Sequence, residues 1–370
     1  MSENLAQTSQ RRRSKRGGEI AMDGEIKKFI AVWVAATASL CYCYLFARRL
    51  PSGFPRFLSF LPVLCIFILL PLPLSSAHLG GPTAFYLTWL ANFKLLLLAA
   101  GTGPLSHPNL PLPRFLAVAA LPLIPPSGNI PPSPTSIRFP LTLSGSVIVA
   151  AKVLALAVMI RIYDYRRHLS EAVVWGIYCC QIYVAVELTL ALSSAVGWAA
   201  LGLESEPQFR DPYLSTSLQD FWGRRWNLTV PTVLRDAVHR PVRRICTPMV
   251  GRVGAQAAGL LAAFLVSGLM HELVYFYLTR ARPTWEVTWF FMLQGACTAA
   301  EVVVKRAAGV RLPALVSGPL TVGFLAVTGR WLFLPQLERS GVDLKAIEEA
   351  NMVREFARDI FLSLWPANYQ

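Results

Sequence analysis

One histidine lies where a buried general base would be useful. The apolar stretch Gly254–Leu278 contains no Lys, Arg or Asp, and near its middle the only ionisable groups are His271 and Glu272. Ionisable side chains inside a membrane are costly and are functional candidates by default. A low dielectric disfavours an imidazolium, so we expect a neutral ring that can accept a proton. The alternative is a structural histidine bonded to a neighbouring helix, with Ser267 and Tyr275 on its own helical face.

A second candidate segment, Ser217–Asn227, combines aromatic rings with guanidinium groups. Read as a helix, it turns its rings toward lipid or the protein core and its cations toward water. The rings belong to Phe221, Trp222 and Trp226, and the cations to Arg224 and Arg225. Asn227 closes the segment with an uncharged amide. An ordinary amphipathic stretch at the membrane surface is the simpler alternative.

The sequence lacks the signatures of several soluble enzyme classes. No histidine is followed by Asp five residues later, and the pair His271-Glu272 lacks the second histidine of a zinc protease motif. Neither a GxSxG nucleophile elbow nor a phosphate-binding loop is present. The seven cysteines lie mostly within apolar runs and form no CxxC pair, so we expect no metal site.

The composition indicates a membrane protein. The chain is 54% hydrophobic and only 15% charged, whereas soluble domains carry about 25% charged residues. Its formal net charge is +14, and the Lys and Arg residues lie between apolar runs. That placement is typical of loops that face anionic lipid headgroups. We therefore expect membrane lipid, and not nucleic acid, as the partner of the basic residues.

Apolar runs long enough to cross a bilayer recur along the chain, since a spanning helix needs about 20 residues. They predict an all-α, polytopic integral membrane protein with about eight transmembrane helices. The predicted spans are 29–47, 57–74, 79–100, 141–160, 172–201, 253–279, 285–304 and 313–334. The second span contains Pro62, Pro71 and Pro73, so we expect it to be kinked or short.

The spans divide the chain into a basic leader, a membrane domain and a tail. We predict a disordered leader at 1–28, a polytopic domain at 29–334 and an amphipathic tail at 335–370. Within the domain, a proline-rich loop at 101–140 carries a short membrane-dipping piece near 115–123. The other two parts are a polar, cytosolic-side segment at 204–248 and the helix 253–279 that carries His271.

Other charges also fall inside apolar runs. Glu187, Glu301, Lys94 and Lys152 are expected to pair with partners on other helices or to reach the interface. A transporter that uses Glu187, His271, Glu272 and Glu301 as an ion path is the alternative from a different functional class. No internal repeat supports it.

The two candidate segments together resemble the plant wax synthase family. This is the jojoba-type long-chain-alcohol O-fatty-acyltransferase branch of the membrane-bound O-acyltransferases. The matching motifs are Ser217–Asn227 with Leu228, Ser267–Glu272, Met22–Phe29, His78–Pro82 and Ala91–Lys94. The resemblance covers residues 22–364, and the basic leader before Met22 departs from it.

The resemblance implies a multi-span helical protein of the endoplasmic reticulum that makes esters from acyl-CoA, without a metal or prosthetic group. Its active histidine and asparagine fall on His271 and Asn227. Diacylglycerol and sterol acyltransferases of the superfamily carry a related cluster, which Asp220, Trp226 and Asn227 repeat with altered spacing. Long-chain alcohol is the first expected acceptor, and sterol and diacylglycerol are alternatives.

This chemistry suits the residues. A neutral His271 can take the hydroxyl proton of the acceptor and pass it to the departing sulfur of coenzyme A. The amide of Asn227 can position a substrate or stabilise charge on the acyl carbonyl. The phosphates of coenzyme A call for cations. We expect them to be supplied by Arg224, Arg225, Arg243 and Arg244.

Overall fold

The computed structural model describes residues 2–124, 135–163, 165–308 and 312–364. The described residues form helices and turns, without a β-strand among them. The helices are α1 (Ser2–Leu45), α2 (Phe54–Leu69), α3 (Ala77–Ala84), α4 (Asn92–Ala99), α5 (Leu112–Ala120), α6 (Leu143–Tyr163), α7 (Glu171–Leu201), α8 (Leu218–Asp220), α9 (Thr229–Leu234), α10 (Arg240–Thr279), α11 (Glu286–Ala308), α12 (Ala314–Thr328), α13 (Pro335–Arg339) and α14 (Val342–Leu364). Stretches of π-helix at Phe85–Ala91, Phe221–Arg225, Arg235–His239 and Gly329–Phe333 extend or join them.

The all-α, polytopic prediction is confirmed, although the count of eight spans is not. Six helical stretches in the described residues are long and apolar enough to cross a membrane. They are Met22–Arg49, Leu143–Tyr163, Glu171–Leu201, Thr229–Thr279, Glu286–Ala307 and Ala314–Arg339. The predicted second span is the 16-residue α2, which ends at Leu69 before Pro71 and Pro73. Prolines cannot donate the next helical hydrogen bond, so they shorten the element.

The basic leader is helical in the structure and continues into the first span as α1. Its charge had predicted a disordered tail. Arg, Lys, Glu and Gln are good helix formers, and a helix already nucleated in the membrane extends at low cost. The predicted division into leader, domain and tail stays a prediction.

A buried π-helical segment joins α3 and α4 into one element over Ala77–Ala99. Every residue from Tyr86 to Ala91 is buried. Tyr86 and Leu90 belong to a central apolar cluster with Leu190, Phe209 and Val233. This element is therefore enclosed by other parts of the protein and can contribute side chains to a buried site.

Helices α10 and α11 cross closely because glycines stand at their contact. A Cβ on Gly268 would lie 2.9 Å from the Cα of Thr288, and a Cβ on Gly295 would lie 2.8 Å from the Cβ of Phe264. Small residues allow membrane helices to approach at such points. At Gly251 the backbone of α10 leaves the helical conformation, with φ of 69°. The regular part of α10 that carries His271 therefore starts close to the predicted residue 253.

The C-terminal helix α14 is fastened to the start of α3 by one carboxylate. Glu349 accepts hydrogen bonds from the Ser76 hydroxyl at 2.8 Å, the Ala77 N–H at 2.9 Å and the His78 N–H at 3.1 Å. Its Oε2 also lies 2.8 Å from Nδ1 of the His78 ring. Burial alone would raise the pKa of Glu349, but these hydrogen bonds outweigh it and lower the pKa to about 2.

We expect Glu349→Gln to destabilise the protein by about 1.5–3 kcal/mol, the range for hydrogen bonds to a charged group. Because the folded-state pKa lies below the ordinary value of 4.5, the carboxylate stabilises the fold above that value. The stabilisation is lost as the pH falls toward about 2. The Tm of the purified protein, measured between pH 7 and 3, should differ most between wild type and variant at pH 7. The exposed neighbour Glu348, changed to Gln, is the control, and a pH-independent difference would contradict this account.

Candidate active site

His271 lies on α10 inside a ring of aromatic side chains. Its imidazole stacks on Phe291 with 4.3 Å between ring centroids and an angle of 29°. Trp89 and Phe333 meet it edge-on at 5.1 and 5.7 Å. These three contacts come from the Phe85–Ala91 segment, from α11 and from the Gly329–Phe333 segment. Three separate parts of the chain thus orient one imidazole that sequence alone had singled out.

One hydrogen bond decides which nitrogen of His271 can act as a base. Nδ1 lies 2.7 Å from the backbone carbonyl oxygen of Ser267. A carbonyl oxygen only accepts, so Nδ1 carries the hydrogen and Nε2 of the neutral ring carries the lone pair. The ring is partly exposed, and the described residues offer Nε2 no hydrogen-bond partner. The arrangement leaves a positioned nitrogen that is available for a proton.

The two residues predicted on the His271 face contribute in ways that spacing did not reveal. Ser267 acts through its main-chain carbonyl. The Tyr275 hydroxyl donates to the carbonyl of Phe333 at 2.7 Å, which holds the Gly329–Phe333 segment against α10. Glu272 is buried and accepts from the N–H and hydroxyl of Thr288 at 3.3 and 3.2 Å. It therefore secures the start of α11 against α10.

A continuous series of ring contacts connects the Ser217–Asn227 segment with His271. Trp226 stacks on Phe221 at 5.3 Å, and Phe221 meets Trp222 at 4.9 Å. Trp222 in turn lies 5.7 Å from Phe291, the ring that stacks on His271. Segments 44 positions apart in the sequence, counted from Asn227 to His271, are therefore packed into one region. A direct approach of Asn227 to His271 stays a prediction.

Asn227 has an unusual backbone and an unused polar atom. Its φ is +38°, in the left-handed region that Asn tolerates better than most residues. Its Oδ1 is buried without a hydrogen-bond partner among the described residues. The next residue, Leu228, donates its N–H to the Gln208 carbonyl at 2.9 Å. Such an orphaned atom in a fixed turn indicates either a ligand contact or a role in turning the chain.

Two predicted substrate-binding residues, Asp220 and Arg225, form an ion pair with each other. Asp220 accepts from Arg225 Nε at 2.7 Å, and Arg225 also donates to the carbonyls of Arg210 and Asp211, at 3.2 Å each. These bonds tie the segment to the loop that precedes it. Trp226 is packed between Phe221 and Phe209. The contacts of Asp220, Arg225 and Trp226 within the protein fix the conformation of the segment. Their contact with substrate stays a prediction.

The remaining predicted cations are exposed. They are Arg224, Arg243 and Arg244. Near the start of α10, His239 and Arg306 line a cavity of about 70 Å³ together with Gln219 and Gln256. His239 and Arg306 thus place an imidazole and a guanidinium group in this cavity. Only the tertiary arrangement of α8, the Arg235–His239 segment, α10 and α11 brings them together.

An uncharged amide escaped the sequence reasoning. Gln294 is completely buried in α11 and accepts from Trp222 Nε1 at 3.3 Å while donating to the Thr328 hydroxyl at 2.9 Å. It holds Trp222 beside Phe291. A search for ionisable groups in apolar runs passes over Gln294, whereas a search for buried amides would have found it.

The other charges within apolar runs have partners. Lys152 and Glu187 form an ion pair at 2.5 Å, and buried Lys94 donates to the carbonyls of Val118 and Leu121. Glu301 accepts from Lys305 Nζ at 2.7 Å and from the N–H of Leu218 at 2.8 Å. Each carboxylate of the alternative ion path is thus engaged locally. Within the described ranges, no group of three or more His, Cys, Asp or Glu side chains is placed to hold a metal ion.

Similarity to known proteins extends over most of the chain. A sequence profile described as the membrane bound O-acyl transferase family matches residues 205–293, which include both Asn227 and His271. The long-chain-alcohol O-fatty-acyltransferase of Simmondsia chinensis is 49% identical over 350 residues, covering 93% of this chain and 99% of the relative. The chain belongs to the long-chain-alcohol O-fatty-acyltransferase family of membrane-bound O-acyltransferases.

Two further relatives of this family come from Arabidopsis thaliana. Probable long-chain-alcohol O-fatty-acyltransferase 1 is 46% identical over 91% of this chain and 98% of its own length. Acyl-CoA–sterol O-acyltransferase 1 is 42% identical over 90% of this chain and 96% of its own length. The names of these relatives thus state two classes of acceptor, long-chain alcohols and sterols.

Proposed function

We propose that the protein transfers a fatty acyl group from acyl-CoA to the hydroxyl of a long-chain alcohol, forming a wax ester. The observation that carries the proposal is the nearly full-length similarity to the Simmondsia relative, whose name states this type of reaction. The site geometry supports it, because Nε2 of His271 is a free base inside an apolar enclosure. Both substrates have long apolar chains, which suits a reaction held among membrane helices.

In this reaction His271 moves one proton. Nε2 takes the proton of the alcohol hydroxyl as the oxygen attacks the acyl carbonyl carbon. The tetrahedral intermediate collapses when the carbon–sulfur bond breaks, and the imidazolium returns the proton to the sulfur of coenzyme A. The Ser267 carbonyl stabilises the cationic ring while that proton is held. The amide of Asn227 positions the acyl group or stabilises its carbonyl oxygen, and no metal or prosthetic group takes part.

A sterol acceptor is the second candidate, because the Arabidopsis sterol O-acyltransferase is 42% identical over 90% of this chain. Microsomes from cells expressing the protein should be assayed with labelled acyl-CoA against long-chain alcohols, sterols and diacylglycerol. We expect the alcohols to be esterified fastest. Faster esterification of a sterol would favour the second candidate, and no labelled ester with any acceptor would contradict both. We also propose the endoplasmic reticulum as the location of this multi-pass protein.

The exposed arginines are proposed to receive the phosphates of coenzyme A on the cytosolic side. Changing Arg224, Arg243 and Arg244 together to Gln should raise KM for acyl-CoA several-fold while leaving KM for the alcohol nearly unchanged. Added salt should raise KM for acyl-CoA in the wild type in the same direction. Arg225 is left intact because it binds Asp220 and the preceding loop.

The matched control changes two other exposed arginines, Arg167 and Arg282, to Gln. It should leave both KM values unchanged. An equal effect of the two sets would mean that general surface charge, and not this group of arginines, attracts acyl-CoA. Luminal labelling of a cysteine introduced at position 243 or 244 would contradict the proposed cytosolic placement.

A further inference from the structure

Trp89 has a buried hydrogen-bond donor with nothing to bind. The side chain is only 1% exposed, and its Nε1–H has no acceptor among the described residues. Other tryptophans in this part of the protein are satisfied: Trp33 donates to the Thr83 hydroxyl and Trp222 to Gln294, each at 3.3 Å. A buried donor without a partner destabilises the folded protein. It calls for an acceptor other than those that the described residues supply.

The missing acceptor is expected beside His271. The Trp89 ring lies 5.1 Å from the imidazole, centroid to centroid. The other rings around His271 in the described chain are Phe291 and Phe333, which have no polar atoms. Trp89 therefore supplies the one donor in this aromatic shell. It also lies in a π-helical segment, a rare conformation that often occurs at functional sites.

The chemistry of the donor narrows the choice of partner. An indole N–H donates and cannot accept. The alcohol oxygen must keep a lone pair for attack, and the sulfur is a weak acceptor. The acyl carbonyl oxygen is a good acceptor, and it becomes a much stronger one when attack places negative charge on it.

We propose that Trp89 is a catalytic residue whose Nε1–H binds the carbonyl oxygen of the acyl thioester, an inference that rests on the proposed function. As the alcohol oxygen bonds to the carbonyl carbon, the carbonyl π electrons move to this oxygen, and Trp89 stabilises the resulting oxyanion. The electrons return when the carbon–sulfur bond breaks. The indole keeps its proton throughout, and His271 alone carries the proton from the alcohol to the sulfur.

The first test is Trp89→Phe, which removes the N–H and keeps an aromatic ring. We expect kcat to fall about 10²–10³-fold, the effect of losing one oxyanion donor, with little change in KM for acyl-CoA. Trp33→Phe is the matched control, since it removes an N–H that already has a protein acceptor in the same region. Similar kcat values in the two variants would overturn the inference.

Because phenylalanine is smaller than tryptophan, a second substitution separates packing from hydrogen bonding. Benzothienylalanine introduced at position 89 replaces the N–H by sulfur and preserves the shape of the ring. We expect it to be as slow as Trp89→Phe. Wild-type turnover with this isostere would overturn the inference, because the N–H would then be dispensable.

The third measurement identifies the acceptor atom. In a dithioester of coenzyme A, sulfur replaces the carbonyl oxygen and accepts hydrogen bonds poorly. The wild type should lose more rate on this change than Trp89→Phe does, because only the wild type has a bond to lose. Equal losses of rate in the wild type and in Trp89→Phe would show that the N–H does not face the carbonyl. A wild type that forms no ester from the ordinary acyl-CoA would overturn the proposed function and this inference together. A wild type that is active with acyl-CoA and keeps its rate after substitution at position 89 would overturn only the inference.

Discussion

Replacing His271 by alanine is expected to abolish ester formation while the protein still accumulates in membranes. Removal of a general base lowers the rate by about 10²–10⁴-fold, and none of the three aromatic rings that contact the imidazole can act as a base. The measurement is single-turnover formation of labelled ester by microsomes with matched protein levels. His168→Ala, at an exposed histidine outside the site, should turn over like the wild type.

The alanine variant also removes a ring that stacks on Phe291, so loss of packing has to be separated from loss of the base. Added imidazole is expected to restore part of the activity of His271→Ala, because it can occupy the vacated space and accept the proton. It should do nothing for the wild type. Near-normal turnover of the unrescued variant would exclude His271 as the base.

The second large effect is expected at Asn227, where backbone and side chain can be tested separately. The φ of +38° is tolerated by Asp and is free of strain for Gly, whereas alanine would add a cost of about 1–2 kcal/mol. Asn227→Asp keeps the size and the turn but a carboxylate cannot donate. Asn227→Gly keeps the turn and removes the side chain. If the amide donates to the substrate, both should lose about 10²–10³-fold in kcat at unchanged expression.

The same pair of variants also tests the opposite account. If Asn227 only turns the chain, Asp and Gly should both retain most activity, since both tolerate the left-handed conformation. If Asn227→Asp loses activity while Asn227→Gly retains it, the loss is explained by repulsion between the new charge and the acyl carbonyl. Asn109→Asp, at an exposed loop position, controls for the added negative charge. Retained activity in Asn227→Asp would leave His271 to act without this amide.

The proposed division of labour uses residues from distant parts of the chain. His271 on α10 carries the proton, Trp89 binds the acyl oxygen, and Asn227 lies at the end of the aromatic segment that packs against Phe291. Glu272 and Gln294 act one step further out, by fixing α11 and Trp222. Substitutions at Glu272 and Gln294 should therefore disturb the geometry of the site. Substitutions at His271, Trp89 and Asn227 should affect the chemical step itself.

Sequence by itself determined the environment, the fold class and the main candidate residues. In hydrocarbon every backbone polar group has to be satisfied within the segment, so long apolar runs can only be helices. For the same reason a histidine and an amide in or beside such runs stand out without any coordinates. The prolines of the second apolar run also predicted that its helix would be short, as α2 is.

Only the tertiary structure decided how these residues are used. The hydrogen bond to the Ser267 carbonyl determines which nitrogen of His271 carries the hydrogen. Asp220 accepts a hydrogen bond from Arg225. Trp89 reaches the imidazole from 182 positions earlier in the chain, as their numbers show. Helical periodicity describes which residues share one face of one helix, because it follows from local geometry alone. Contacts between helices depend on crossing points such as Gly268 and Gly295, and these become visible only when the helices are packed together.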